Sequence, residues 1–230
     1  MFFLRHIPNA LTSANLLCGV LGVIFIIQGK SAPAAYFVWA ACVFDFLDGF
    51  AARWLRVSSP IGKELDSLAD MVSFGVLPAI MMFQLIAQSA TAEWMPYSAL
   101  SLAIFSALRL AKFNVDTRQT DSFIGVPTPA NALFITALPF VPEGFNGFLT
   151  NPWALVGIVA LFSFLMVSPF ELLALKFKHF RWAGNQLRFI FVALSLLLVL
   201  WWGAASLVPI ILIYVVLSLT TRAWTSAQPK

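Results

Sequence analysis

The run Asp45-Phe-Leu-Asp48-Gly49-Phe-Ala-Ala52-Arg53 closes one long apolar stretch, and Gly62-Lys-Glu-Leu-Asp66-Ser-Leu-Ala-Asp70 opens the next. Read as helices, the first places Asp45 and Asp48 three residues apart and the second places Asp66 and Asp70 four apart, so each pair shares a helix face. A short basic loop between antiparallel helices then brings four carboxylates to one depth. At mid-span each acid costs about 2.5 to 3.5 kcal/mol to insert, and less near the interface. Salt bridges to Arg53, Arg56 and Lys63 can offset some of that cost, whereas bound divalent cations remove the repulsion among all four acids. Oxygen-only ligation without clustered His or Cys favours Mg²⁺ or Mn²⁺ over Zn²⁺. Two ions are expected, because carboxylates in phosphoryl-transfer sites bridge metals about 4 Å apart.

The composition says in what medium those helices sit. Of the 230 residues 60% are hydrophobic and 10% are charged, and the mean hydropathy is +0.88. A soluble globule of this size has too little interior for so much apolar surface. This excludes a disordered chain, a nucleic-acid-binding domain and an ordinary cytosolic enzyme, and predicts an all-α, polytopic helical bundle in the bilayer. Cys18 and Cys42 lie inside apolar runs as small hydrophobes, not as a disulfide framework. The first run, from about Leu11, has the length of a full span without a convincing cleavage site, and reads as a retained helix.

Apolar windows broken by Pro, Gly or charge give eight expected spans, at about 11–29, 33–52, 66–88, 94–113, 129–149, 153–175, 186–203 and 206–222. The fifth is shortened by Pro127, Pro129, Pro139 and Pro142, and the last two can be confused with one segment around Gly203. With the N-terminus inside, Arg5, Arg53, Arg56, Lys63, Arg109, Lys112, Arg118, Lys176, Lys178, Arg181, Arg188, Arg222 and Lys230 all fall on the cytoplasmic side. Of the 14 lysines and arginines only Lys30 falls on the other, the asymmetry that the positive-inside rule describes for eight spans with both termini cytoplasmic. Trp94, Trp153, Trp182 and Trp224 near span ends read as interfacial anchors. The chain is expected to form a single membrane-embedded domain over 1–230, with catalytic helices in about 8–115 and additional helices in about 129–222.

Small residues accompany the acids. Gly49, Ala52 and Gly62 allow a flat or polyanionic ligand to approach the backbone, although small residues also serve helix packing. Arg53, one turn beyond Asp48, can reach a phosphate or anchor the helix end. The pattern Asp48-Gly49-x2-Ala52-Arg53-x8-Gly62-x3-Asp66-x3-Asp70, with Asp45 three residues before it, resembles the signature of the CDP-alcohol phosphotransferases at every fixed position. That resemblance implies a membrane enzyme that displaces CMP from a CDP-linked lipid or alcohol with an acceptor hydroxyl and divalent metal. It implies Asp45 and Asp66 as acids bridging both metals, Asp48 as completing the first, and Asp70 as contributing to the second and accepting the proton. Gly49 and Arg53 become diphosphate contacts, with Ser59 as a weaker carry-over.

Three further segments resemble the phosphatidylserine synthase branch: Ile7-Pro-Asn9 through Gly19, Asp66 through Gly75, and Arg109 to Asn114 with Phe123 to Ala130. The branch implies CDP-diacylglycerol and L-serine as substrates, and a site on the cytoplasmic face of a bacterial or archaeal membrane; it admits a homodimer. Asn9, Thr12 and Asn15 recur every three residues at the start of the first helix and offer polar groups to a cytidine or ribose, or bond to backbone and neighbours. Arg109 and Lys112 are candidates for a lipid phosphate or the serine carboxylate, and equally for interfacial anchors. A covalent phosphatidyl-enzyme would need a nucleophilic His, and neither His6 nor His179 opens a His-x-Lys pattern. Two alternatives stay open: another acceptor or an ether-lipid donor, and an ion-coupled transporter, for which the acids would lie nearer mid-bilayer.

Overall fold

The computed structural model describes residues 6–57, 59–115, 124–170, 172, 182 and 185–226, with backbone alone over 221–226. Arg5, Arg118, Lys176, Lys178, Arg181 and Lys230 lie outside these residues, as do the side chains of Arg222 and Trp224. The described chain is all-α: α1 (Ile7–Ile27), α2 (Ser31–Leu55), α3 (Pro60–Asp70), a π-helical turn (Met71–Val76), α4 (Leu77–Ala87), α5 (Leu100–Val115), α6 (Thr128–Ala137), α7 (Pro152–Val167), α8 (Gln186–Trp202) and α9 (Leu207–Ser226). Among the described residues five helical runs are long and apolar enough to cross a membrane: Ile7–Ile27, Ser31–Leu55, Pro60–Ala87, Pro96–Val115 and Gln186–Thr220.

Local chemistry sets the helix ends. Ser59 caps α3 by accepting the Gly62 N–H at 3.0 Å, with Pro60 in the first turn. Asn151 caps α7 in the same way, accepting from Trp153 N–H at 3.0 Å. The expected 129–149 span is not one helix. α6 stops at Ala137 and 3-10 turns at Leu138–Phe140, Glu143–Phe145 and Gly147–Thr150 carry the chain onward. Pro139 and Pro142 account for the break, since neither offers an N–H and each ring collides with the preceding turn. The long run 186–220 is likewise divided. Gly203 adopts φ +54°, a conformation that favours glycine, and Phe191 and Tyr214 on either side of it have ring centroids 6.0 Å apart. In one straight helix those rings would be about 34 Å apart, so α8 and α9 form a hairpin.

Side-chain contacts sort the connections into two layers. Lys63 Nζ donates to the carbonyl of Asn114, while Gly125 N–H and Val126 N–H donate to the carbonyls of Phe170 and Leu165. At the opposite end Phe140 packs on Tyr36 and Trp39, Trp94 on Trp153, and Phe145 on Trp202. The core follows the same division. One cluster joins α4, α5, α6, α7 and α9, where Phe134 and Phe162 stack at 4.3 Å. The other joins α1, α2 and the π turn through Ala34, Ala35, Val38, Ala41 and Phe74, all fully buried. Small residues let these backbones approach; a Cβ on Gly19 would run into Ser73.

Candidate active site

Helices α1, α2 and α3 converge at the layer that holds the Lys63–Asn114 contact. There Asp45, Asp48 and Asp66 each present a carboxylate oxygen within 4.8 Å of the others. Asp70, one turn along α3 from Asp66, is buried and close enough to Asp45, Asp66 and Asp48 to feel their charge. Three of the four acids thus converge, while Asp70 stands near them but outside that close group.

Helix α1 positions two of them from the side. Thr12 Oγ1 lies 2.6 Å from Asp48 Oδ2 and 3.0 Å from the carbonyl of Pro8, so one hydroxyl proton serves either acceptor. Asn15 donates its side-chain amide to Asp70 Oδ1 at 3.0 Å, and its main-chain carbonyl accepts from Ser73 Oγ at 3.0 Å. Ser73 belongs to the π turn that begins immediately after Asp70, a local widening often found at functional sites. Asn15 is fully buried and holds an acid, so its amide does not line an open cleft.

A cavity of about 650 Å³ opens beside the acids, walled by Pro8, Asn9, Thr12, Asp48, Gly49, Ala52, Arg56, Val57, Ser59, Gly62, Lys63 and Asp66. It unites most of the residues singled out by the sequence. Gly62 is required for its shape, because a Cβ there would come within 2.9 Å of Asn9 Oδ1 and of Ser59 Oγ. Ser59 has a second duty as the α3 cap. Arg53 is exposed beside Gly49 and within electrostatic reach of Asp48, but outside the cavity wall. Arg109 is buried near Asp70, and Lys112 is exposed. In the sequence Arg56 and Lys63 read as cytoplasmic-side charge and as salt-bridge partners for the acids; both stand in the wall. Their position in the loop between the acidic pairs was the signal available.

The donor set suits hard divalent cations. Asp66 Oδ1 is buried without a hydrogen-bond partner, and three convergent carboxylates without an imidazole or thiolate among them are ligands for Mg²⁺ or Mn²⁺. The adjoining cavity combines two acids with Arg56 and Lys63, a mixed lining suited to a polyanion that brings metal with it.

The chain matches the family model described as CDP-alcohol phosphatidyltransferase over residues 5–201. It is 34% identical to a CDP-diacylglycerol--serine O-phosphatidyltransferase of Bacillus subtilis over 77% of this chain and 93% of that protein. It is 32% identical to the protein of the same name from Helicobacter pylori over 84% of this chain and 81% of that one. An archaetidylserine synthase of Methanothermobacter thermautotrophicus is 32% identical over 72% of this chain and 68% of that protein. With Asp48, Gly49, Ala52, Gly62 and Asp66 of the motif lining one cavity and the family match spanning most of its length, the chain belongs to the CDP-alcohol phosphatidyltransferase family.

Proposed function

We propose that the protein transfers the phosphatidyl group of CDP-diacylglycerol to the hydroxyl of L-serine, forming phosphatidylserine and CMP. The observation that carries the chemistry is the convergence of Asp45, Asp48 and Asp66 beside a cavity lined by Arg56 and Lys63. The names of the relatives favour serine as acceptor.

Asp45, Asp48 and Asp66 would hold the divalent ions, with Asp70 completing the set. When bound, Mg²⁺ or Mn²⁺ would neutralise the diphosphate and the departing CMP. The chain's own residues do the rest. Gly49, Ala52 and Gly62 leave room for the nucleotide diphosphate against the backbone, and Arg53, Arg56 and Lys63 offer it positive charge. Thr12 fixes the Asp48 carboxylate. Asn15 occupies one oxygen of Asp70, which leaves the other to accept the serine hydroxyl proton. The serine oxygen then forms a bond to the phosphorus that carries diacylglycerol as the bond from that phosphorus to the CMP oxygen breaks.

The proposal includes eight passes, both termini cytoplasmic and the site at the cytoplasmic face. The two layers of connections support it, with Arg56 and Lys63 in one layer and Lys30 in the other. The single-domain organisation, the bacterial or archaeal membrane and a homodimer are part of the same reading.

The test of the reaction is CMP release by purified protein with CDP-diacylglycerol and Mg²⁺ or Mn²⁺. L-serine should stimulate release and glycerol 3-phosphate should not; the reverse preference would discard serine while keeping the reaction class. For topology, single cysteines at Lys112, Thr91 and Gly144 in a chain lacking Cys18 and Cys42 should label from the cytoplasmic side at 112 and from the other at 91 and 144. Labelling of 112 and 91 from one side would refute eight passes.

A further inference from the structure

Five side-chain atoms around the π turn share an unusual property: they are buried and hydrogen-bond to nothing. These are Asn15 Oδ1, Arg109 Nε, Thr128 Oγ1, and both Asn131 Nδ2 and Asn131 Oδ1. Thr128 and Asn131 have no exposure, and Arg109 is 7% exposed. An unpaired buried polar group is costly, and natural proteins keep few of them.

The π turn touches each helix that carries these residues. Its Ser73 holds Asn15, and a Cβ on its Gly75 would stand 3.1 Å from the Cβ of Ser106, one turn before Arg109. Its Phe74 packs in one cluster with Ala132, next to Asn131. Both α5 and α6 lie directly against the turn. Thr128 and Asn131, three apart, share a face of α6, and Arg109 is near Asp70.

Counted by chemistry, the set has two halves. Arg109 Nε–H, the Asn131 amide N–H₂ and the Thr128 hydroxyl are donors; Asn15 Oδ1 and Asn131 Oδ1 are acceptors. Donors together with a guanidinium suit a carboxylate, and two amide oxygens, one of them on the Asn15 side chain that bonds Asp70, suit an ammonium. A free α-amino acid carries both groups. Glycerol 3-phosphate offers an anion but no ammonium for the two oxygens.

We infer that Arg109, Thr128, Asn131 and Asn15 receive the zwitterionic head of an amino-acid acceptor, with Asn131 as the residue that distinguishes it from an acceptor without an ammonium group. This rests on the reading of the protein as a serine phosphatidyltransferase. The atoms are closed to solvent, so the inference requires α6 to part from the π turn as the acceptor enters.

Asn131→Leu tests the assignment, because it removes an unpaired amide at nearly constant volume. The variant's thermal midpoint without serine should equal or exceed that of the wild type, since nothing bonded to the amide is lost. Its KM for serine should rise about 10-fold or more, the worth of one or two buried hydrogen bonds, while the KM for CDP-diacylglycerol moves less than about 2-fold. Thr128→Val should shift the serine KM in the same direction and Thr128→Ser should restore it. A fall in the midpoint of Asn131→Leu, including failure to fold, would make Asn131 structural and overturn the assignment. So would an unchanged serine KM. Wild-type turnover with glycerol 3-phosphate and not serine would overturn this assignment and the acceptor reading together, whereas serine turnover insensitive to Asn131→Leu would overturn this assignment alone.

Discussion

The α1–α4 region and the α8–α9 hairpin are both built of apolar helices, yet only the first is tied together by its polar side chains. There Ser13 and Ser67 turn back on their own helices, but others bond across: Thr12 to Asp48, Asn15 to Asp70, Ser73 to the main-chain carbonyl of Asn15, and Gln84 to the carbonyl of Ile26. In the hairpin Ser195 and Thr220 turn back to the carbonyls of their own helices. Phe191 is the one buried residue described in α8, and Leu200 and Trp201 are each 84% exposed. Apolar contact gives helices neighbours without fixing any atom to a fraction of an ångström, because lipid tails compete equally for an apolar side chain. Cross-helix hydrogen bonds fix carboxylate oxygens, which the chemistry needs. The chain therefore places its positional precision in its first half.

Breaking the first region should cost most at the acids. Asp66→Asn is expected to abolish serine-dependent CMP release and to weaken Mn²⁺ binding, read by titration, because an amide lacks the ligand charge. Asp70→Asn should keep the fold and much of the CDP-diacylglycerol affinity while lowering kcat by about 10² to 10⁴-fold. If it loses donor binding as completely as Asp66→Asn, Asp70 serves metal assembly and another residue is the base. Thr12→Val should come next, at about 10 to 100-fold in activity or metal affinity, the usual cost of removing a partner of a metal-ligating side chain. The smallest effect belongs to Leu200→Ala in the hairpin, within about 0.5 kcal/mol of wild-type stability, read as an unchanged thermal midpoint and kcat. If Leu200→Ala proved as damaging as Thr12→Val, the division of labour drawn here would collapse.

What the sequence made legible follows the same line. The acids were readable because residues three and four apart on a helix must share a face, and because four carboxylates in apolar runs need a reason. The break in the fifth expected span was half readable: Pro139 and Pro142 announce it, but the 3-10 turns that carry the chain to Thr150 depend on tertiary packing such as Phe140 against Tyr36 and Trp39. Asn15 reads as facing a ligand cleft or as bonding to backbone and neighbours, and the structure puts its amide on Asp70, a partner 55 residues away that no local pattern names. Lys63 reads as cytoplasmic-side charge and a salt-bridge partner, because charge near a helix end carries the same signature whether it faces headgroups, an acid or a cavity. Thr128 and Asn131 gave no sign, since a threonine and an asparagine at a helix start ordinarily satisfy backbone.

The π turn at Met71–Val76 has one more consequence. A π turn is an α-helix with one residue inserted, so it advances the phase of all that follows by about 100°. The acid-bearing face of Asp66 and Asp70 and the core face of Leu77 and Met81 are thus two separately indexed surfaces on what looks like one rod. A helical wheel drawn unbroken through 60–87 misplaces one of them. The extra residue works as a gearing step between chemistry at one end of the helix and packing at the other, and its removal would leave either half correctly aligned only by turning the other away.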